Sequence, residues 1–401
     1  YQLLDDDEKL KFFEGLGNDF AADGAVVQQA ARTYLDDPTQ SKLGELSRAT
    51  VPPRRNLIIR LNQAPNATFQ LISMRSDLLD LLPDHPELKE VDRDFVTLFA
   101  SWFNGGFLQL RSLDWKSPAE MLEKLMRYEA VHGMAGWSEL RERIAPQDRL
   151  IFGFFHPRLG KEPLIFIEVA LMKQMPSDIA SILEPDAPPL DPASVRTAVF
   201  YSISNCQKGL RGIPLGSFLI KQVVEELKRG FPELKEFVTL SPVPGFGQWL
   251  RQLIEKQNGE DSGSELPKTD IEQLQQVMSA DWVSDATQIQ PLKRVISAAA
   301  AHYLSAEKDS KNRPFDPVAK FHLGNGAKLE RINWPADQSQ NGVDTSFGLM
   351  VNYLYDLNEI EKNHEVFVKT GEVKVSSEVS SLAKTFDRSV NPPNIRDRSL
   401  V

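Results

Sequence analysis

The hydrophobic pattern of this 401-residue chain changes character once, at Asn104-Gly105-Gly106. Before that break, apolar residues recur at helical spacing, and strand-like alternation is almost absent. After it, segments that alternate apolar and polar residues appear between amphipathic stretches. Since a helical pattern and a strand pattern bury different sets of side chains, the two regions must fold differently. We therefore predict an α+β fold, with an all-helical domain at residues 1–104 and a mixed-sheet α/β domain at residues 105–401.

The first region is expected to form a helical bundle. Its apolar stripes lie near residues 10–16, 26–34, 71–82 and 88–103. The third stripe ends at Pro83 and the fourth at the glycine break, as helices commonly do. Such amphipathic helices usually pack on each other or on a partner subunit, so we predict a structural role for this domain.

The second region reads as strands interspersed with helices. The predicted strands are residues 107–115, 150–155, 164–172, 197–204, 237–240, 328–334 and 348–357. The predicted helices follow residue 117 and cover residues 137–144, 214–230, 271–278 and 291–306. Strands that follow one another without a helix imply a partly antiparallel sheet rather than a doubly wound one.

Charge and cysteine content exclude several classes of protein. The 46 Lys+Arg and 56 Asp+Glu leave a net charge of −10, which makes non-specific nucleic-acid binding a poor prediction. The single cysteine, Cys206, permits neither an intrachain disulfide nor a CxxC metal site and favours a reducing compartment. Without 18 consecutive apolar residues, no membrane span is expected. Because the chain begins at Tyr1 rather than Met, the sequence leaves open whether a targeting segment has been removed.

The loop from Gln207 to Ser217, between a strand and a strong amphipathic helix, is the most informative motif. It contains three glycines and two cations, namely Gly209, Gly212, Gly216, Lys208 and Arg211. Glycines let a ligand approach the backbone, while cations and a helix N-terminus attract phosphate. The loop is neither a Walker loop nor a GxGxxG fingerprint. A tight strand–helix turn that binds nothing is the alternative.

With its flanking strand and helix, this loop resembles the acyl-CoA-binding core of the GNAT superfamily, although extra residues separate its glycines. A more specific likeness covers nearly the whole chain, which resembles the malonyl-CoA decarboxylase family. The motifs that carry it are RYEAVH (127–132), FYSIS (200–204), GLRGIPLGSFLIKQVVEEL (209–227), LSPVPGF (240–246), DPVAKFHLGNGA (316–327), RINWPAD (331–337) and GLMVNYLY (348–355).

The resemblance implies a GNAT-like catalytic domain that splits malonyl-CoA into acetyl-CoA and CO2 without a metal or organic cofactor. It also implies that the helical domain makes the contacts of a homo-oligomer, either a dimer or a tetramer. Its catalytic pair falls on Ser241 and His322. Its CoA-binding loop falls on Arg211, Gly212, Ile213, Pro214, Leu215, Gly216 and Ser217. The chain ends in Arg398-Ser-Leu-Val401, without the peroxisomal tripeptide of animal members, so we expect a cytoplasmic protein.

Each predicted site residue has a chemical reason and a structural alternative. His322 suits a proton donor, because histidine normally titrates near pH 6.5, but a lone histidine is commonly structural. Ser241 would orient the departing carboxylate, although most Ser-Pro serines cap turns. Tyr355 or Tyr353 would donate to the carboxylate or thioester, or else belong to the core. Cys206 is either a small core residue or a reactive thiol.

Two other functions stay open from the sequence. One is a GNAT-fold enzyme that transfers an acyl group from CoA to an amine, which requires a second pocket and a base. The other is an inactive acyl-CoA sensor that keeps the glycine loop.

Overall fold

A computed structural model describes residues 1–184, 192–213, 218–257 and 266–390. Its α-helices are α1 (Asp6–Asn18), α2 (Gly24–Asp36), α3 (Gln40–Ala49), α4 (Pro53–Leu61), α5 (Ala67–Leu81), α6 (Lys89–Trp102), α7 (Ala119–Tyr128), α8 (Trp137–Ile144), α9 (Ala180–Leu183), α10 (Phe218–Gly230), α11 (Phe246–Gln257), α12 (Lys268–Ser279), α13 (Ile289–Ser305), α14 (Pro317–Gly324), α15 (Gln340–Ser346), α16 (Ile360–Thr370) and α17 (Ser377–Val390). Its strands are β1 (Gln109–Leu113), β2 (Arg149–Phe155), β3 (Pro163–Met172), β4 (Thr197–Asn205), β5 (Glu236–Thr239), β6 (Ser241–Pro242), β7 (Lys328–Asn333) and β8 (Met350–Leu354).

The strands form one mixed sheet in the order β1-β2-β3-β4-β5-β8-β6, with β7 also paired to β8. Strands β4 and β5 run parallel, whereas β8 is antiparallel to β5, β6 and β7. The α+β class is therefore confirmed: helices come first, and a partly antiparallel sheet with helices follows.

The described residues cluster into two compact units. The first comprises Tyr1–Arg111, Gly153–Phe166 and Asn205–Leu219; the second comprises Ser112–Phe152, Ile167–Ser204 and Ile220–Val401. The glycine loop thus belongs to the unit that contains the N-terminal helices. The division of the chain at residue 104 stays a prediction.

In the first unit, local sequence explains where the helices begin. Helix α1 starts with a capping box, in which Asp5 accepts from the Glu8 main chain while Glu8 accepts from that of Asp5. Helices α3 and α4 are additional to the predicted ones. Helix α3, like the predicted α2, has no buried residue among those described.

In the second unit, β4 and β5 part from each other at a defined point. Their paired residues run from Thr197 opposite Glu236 to Phe200 opposite Thr239. Strand β4 then continues to Asn205, whereas β6 pairs Ser241 with Val351 of β8. The sheet therefore separates beyond Phe200, and Ser241 lies directly after the point of separation.

Within the part of the chain that the structure describes, no helix is both long and apolar enough to cross a membrane.

Candidate active site

His322 lies in the last turn of α14, a helix that Asp316 holds at its start. The Asp316 carboxylate accepts from the N–H groups of Val318 and Ala319, each at 2.9 Å, and Pro317 occupies the first turn. The same carboxylate accepts from the N–H of Gly245 at 3.1 Å. Asp316 therefore ties the helix of His322 to the loop that follows Ser241.

Ser241 and His322 lie side by side in the interior. Ser241 Oγ is 3.2 Å from His322 Nε2, although 81 positions separate the two residues in the chain. The Ser241 hydroxyl also donates to Thr239 Oγ1 at 2.8 Å. Thr239 Oγ1 in turn accepts from the Tyr353 N–H at 3.2 Å, which fixes the strand register around the pair.

Two tyrosines at the end of β8 complete the cluster. Tyr355 Oη is 2.8 Å from His322 Nδ1, on the opposite edge of the imidazole from Ser241. The Tyr353 ring stacks on the imidazole, with centroids 4.7 Å apart and an interplanar angle of 24°. Among the described residues, the Tyr353 hydroxyl is one of the few buried polar groups without a hydrogen-bond partner. The structure thus brings together Ser241, His322 and both tyrosines named from the sequence.

Burial controls the ionisation of this cluster. Desolvation lowers the pKa of His322 from 6.5 to about 3, so the ring is neutral at pH 7. Burial likewise raises the pKa of Tyr355 and of Tyr353 well above 10, so both phenols keep their protons. The cluster is therefore a set of neutral hydrogen-bonding groups.

These contacts agree with one directed chain of hydrogen bonds. Because the Ser241 hydroxyl donates to Thr239, its oxygen is left to accept the Nε2–H of His322. The Nδ1 of the same ring then accepts from the Tyr355 hydroxyl. The arrangement can present a proton at Nε2 and replace it through Nδ1.

Sequence reasoning missed two parts of this site. Asp316 and Thr239 were not singled out, although an Asp-Pro start followed by the Gly324-Asn325 end is a recognisable helix signature. Periodicity does not reveal α14, since its Phe321 is 40% exposed and blurs the apolar stripe.

The predicted CoA-binding loop is described only in part. Arg211 and Gly212 are exposed and Ile213 is buried, while Pro214, Leu215, Gly216 and Ser217 lie outside the described residues. Gly212 has a φ of +76° and open space beside its Cα, as a residue that a ligand approaches requires.

Gly209 and Lys208 differ from the expectation. A Cβ at Gly209 would lie 1.9 Å from the carbonyl oxygen of Ile72, so this glycine permits close packing against α5 rather than ligand approach. The Lys208 ammonium forms an ion pair with Asp80. Both side chains of this pair are exposed, so Lys208 has a protein partner at the surface.

Arg75 is a further residue that the sequence did not suggest. Its side chain is 2% exposed, and its Nη1 donates to the carbonyls of Gly209 at 2.7 Å and Arg211 at 2.9 Å. Its Nε donates to Asp92 at 2.8 Å. Arg75 therefore holds the backbone of the loop in place at Gly209 and Arg211.

Metal-binding groups and the single thiol complete the description. Across the described ranges, no three or more His, Cys, Asp or Glu side chains form a group suited to a metal ion. Cys206 is buried, and its N–H donates to the Leu164 carbonyl at 2.9 Å. Its place in the packed interior agrees with the core alternative for this residue.

Comparison with known proteins gives consistent matches along the chain. The family model described as the malonyl-CoA decarboxylase C-terminal domain matches residues 106–392, and that of the N-terminal domain matches residues 20–103. The mitochondrial malonyl-CoA decarboxylase of Anser anser anser is 34% identical over 402 residues, which span 93% of this chain and 79% of the relative.

Two crystal structures of malonyl-CoA decarboxylases resemble the whole fold. The protein from Rhodopseudomonas palustris has a TM-score of 0.88 and 48% identity, covering 95% of this chain and 92% of its own. That from Agrobacterium vitis has a TM-score of 0.87 and 47% identity, with the same coverage of both chains. With two family models that together match most of its length, the chain is a carboxy-lyase that belongs to the malonyl-CoA decarboxylase family.

Proposed function

We propose that this enzyme converts malonyl-CoA into acetyl-CoA and CO2 without a metal or organic cofactor. The observation that carries the proposal is the buried contact of 3.2 Å between Ser241 Oγ and His322 Nε2, with Tyr355 on the other ring nitrogen. Family membership supports the substrate, since the relatives described above are named malonyl-CoA decarboxylases.

The thioester itself can accept the electrons that decarboxylation releases. As the bond between the carboxylate and the methylene carbon breaks, CO2 leaves and the electron pair delocalises into an enolate on the thioester oxygen. Catalysis must favour this developing oxyanion over the ground state. Because the electron sink belongs to the substrate, the enzyme needs to supply only orientation, hydrogen bonds and a proton.

His322 supplies that proton in its neutral form. The Nε2–H is transferred to the methylene carbon of the enolate, while the Tyr355 hydroxyl protonates Nδ1. A thioester enolate is a stronger base than a phenolate, so the transfer runs downhill. Nδ1 then returns its proton to the Tyr355 phenolate, while a proton from solvent restores the Nε2–H. A neutral imidazole kept so by its surroundings is an established type of catalytic hydrogen-bond donor.

Ser241 orients the carboxylate that is lost. Its hydroxyl sits beside the proton donor and directly after the point where β4 and β5 separate. When substrate binds, the Ser241 hydroxyl would turn its single proton from Thr239 to the carboxylate. This hydrogen bond would hold the breaking bond perpendicular to the thioester plane, where overlap with the carbonyl lowers the barrier. A covalent serine role is not proposed, since the reaction requires no acyl-enzyme.

The phosphates of CoA are proposed to bind at residues 211–217. The support within the described residues is the exposed Arg211, the open space at Gly212 and the anchoring of the loop by Arg75. Substituting Arg211→Gln should raise KM for malonyl-CoA several-fold with little change in kcat, because a phosphate contact serves ground state and transition state alike. An unchanged KM would contradict this assignment.

The test of the activity is the release of CO2 from malonyl-CoA with a chelator present and no acyl acceptor. One acetyl-CoA should form for each CO2, at a rate that the chelator does not alter. Formation of acetyl-CoA only after an amine is added would instead favour the acyltransferase alternative. Methylmalonyl-CoA in a parallel assay measures how far the site tolerates a branched acyl group.

We also propose that helices α2 and α3 make the contacts of a homo-oligomer. The two helices pack on each other, and none of the residues described in either is buried. Leu35 is 77% exposed, Val26 53% and Leu43 40%. Exposure of these apolar side chains to water is unfavourable, and burial against a second copy would remove it. Light scattering of Leu35→Lys should show a smaller assembly than the dimer or tetramer expected of the unsubstituted chain.

A cytoplasmic location and the absence of a nucleic-acid partner stay predictions. They rest on the single Cys206 and on the net charge of −10.

A further inference from the structure

The second unit contains a polar cavity that is lined by residues other than those of the His322 cluster. It has a volume of about 830 Å³, within the range of small-molecule sites. Its lining includes Glu129, His132, Arg143, Asp178, Asp337 and Ser339. The Phe200 ring meets that of Tyr355, whereas the Tyr201 ring meets that of His132.

The charges that line this cavity are mainly negative. Of the described residues, three carboxylates and one guanidinium contribute to it. The guanidinium of Arg143 is already engaged, because it donates to the main-chain carbonyl of His132 at 2.6 Å and lies 3.6 Å from Glu168. A cationic ligand would therefore meet a favourable field, and an anion would be repelled.

His132 presents an acceptor that has no donor. Its ring hydrogen-bonds the main chain of Tyr201, and burial lowers its pKa, so the ring is neutral with one N–H. Among the described residues, its Nε2 is one of the buried atoms without a hydrogen-bond partner. A buried acceptor without a partner is unfavourable, and a ligand N–H would supply the missing hydrogen bond.

The hydrogen bonds of Glu129 hold the segment that carries His132 in place. Its carboxylate accepts from the N–H groups of Val131 and His132, at 2.9 and 2.7 Å, and from the hydroxyls of Ser202 and Ser204. The segment that carries His132 is thus fixed to β4. The imidazole is a preorganised acceptor rather than a side chain free to turn away.

We propose that this cavity binds a small primary amine in its ammonium form, with His132 Nε2 and the Asp337 carboxylate as acceptors. An ammonium group supplies several donors and a positive charge, which match unpaired acceptors in a negative cavity. A divalent metal fits less well, because the described residues contain no cluster of ligands suited to one. This proposal does not depend on the decarboxylation proposed above.

The test is calorimetric titration of the full-length protein with 1,4-diaminobutane, beside 1,4-butanediol and succinate. The diamine should bind, while the uncharged diol and the dianion should not. Asp337→Asn keeps the Oδ1 that accepts from the Ser339 N–H, and it should weaken binding about tenfold. His132→Phe keeps a ring in place and should weaken binding to a similar extent.

The matched control is Asp344→Asn, which removes a charge from α15 away from the cavity lining. Its affinity for the diamine should stay within a factor of two of the unsubstituted protein. The proposal is overturned if no diamine binds, if the diol binds equally well, or if Asp337→Asn and Asp344→Asn weaken binding alike.

Discussion

The His322 cluster and the His132 cluster hold a neutral buried histidine by different means. At His322, burial alone lowers the pKa, and the neighbours are uncharged serine, threonine and tyrosine side chains. At His132, burial and Arg143 lower the pKa, while Glu129 and Asp337 oppose them. A dry, uncharged surrounding keeps an imidazole neutral over a wide pH range, whereas a balance of charges leaves it responsive to each partner.

The buried Glu168 extends this contrast. It belongs to the surroundings of His132, and burial is the main cause that raises its pKa to about 7, with Glu129 adding to the effect. A proton therefore enters or leaves this cluster near neutral pH, while the His322 cluster keeps its protons throughout. The uncharged cluster suits a catalyst that must always present a donor, and the charged one suits ligand binding.

The variant with the largest expected effect on the uncharged cluster is His322→Asn. If the neutral imidazole delivers the proton, kcat for malonyl-CoA should fall about a thousandfold, within the usual range for loss of a general acid. Binding of CoA should change little, because the residues proposed to bind its phosphates, 211–217, are unaltered in this variant. Steady-state kinetics and a CoA titration measure both effects.

The control for this variant is His85→Asn, which alters a histidine whose side chain is 30% exposed. Its kcat should match that of the unsubstituted enzyme. Undiminished turnover in His322→Asn would remove the proton-donor assignment.

Tyr355→Phe and Tyr353→Phe sharpen the comparison within the His322 cluster. The first loses the contact of 2.8 Å with Nδ1, so kcat should fall about 10- to 100-fold as the relay to the ring is cut. The second keeps the stacked ring and removes a hydroxyl without a partner, so kcat should change less than about threefold. Equal losses in both variants would argue against a directed relay.

Asp316→Ala tests what holds His322 beside Ser241. Three main-chain donors, on Val318, Ala319 and Gly245, would lose their acceptor. We expect the free energy of unfolding to drop by about 2 kcal/mol, with a lower kcat as the helix shifts. Chemical denaturation measures the first effect and steady-state assay the second. Asp316→Asn retains one acceptor oxygen, so its stability and kcat should lie between those of the unsubstituted protein and those of Asp316→Ala. Full activity in Asp316→Ala would contradict a positioning role.

The smallest effect is a difference in how stability depends on pH. The pKa of His322 is about 3 in the folded protein and about 6.5 in the unfolded chain, so below pH 6.5 only the unfolded chain takes up this proton. Stability is therefore lost as pH falls from 6.5 towards 3, at up to about 1.4 kcal/mol per pH unit for this group.

His322→Asn should lose that share of the pH dependence, so its unfolding free energy should decline less steeply between pH 5.5 and 4, by about one proton. His132→Asn should flatten the curve less, because the carboxylates of Glu129 and Asp337 oppose the effect of burial at His132. Denaturation series at several pH values measure both slopes. Parallel curves for His322→Asn and the unsubstituted protein would mean that His322 is not neutral in the fold.

Much of the fold follows from local sequence, and the exceptions have physical reasons. The strands at Lys328–Asn333 and Met350–Leu354 lie where alternation places them, and α10 ends at Gly230 as expected. The two-residue strand β6 was not predicted, since Ser241-Pro242 becomes a strand only by pairing with β8. Helices α4 and α14 were not predicted, because neither presents a clear apolar stripe.

The candidate site, like the fold, contains residues that the sequence names and residues whose contacts only packing decides. Motif resemblance names Ser241 and His322, and position on a late strand names Tyr355 and Tyr353. The structure brings these residues together, while their roles stay a proposal. Gly209 and Lys208 were interpreted as ligand-facing, yet one packs on Ile72 and the other pairs with Asp80. Long-range packing decides whether a ligand or a backbone carbonyl approaches a glycine, because the sequence around the glycine is the same in both cases.

From the sequence alone came the longer strands, the mixed character of the sheet and the chemical types of the site residues, because hydrophobic periodicity and short motifs are local properties. The protonation state of His322, the pairing of its two nitrogens and the cavity beside His132 were decided only by the tertiary structure. Each depends on residues far apart in the chain, since burial and hydrogen-bond partners exist only once distant segments meet.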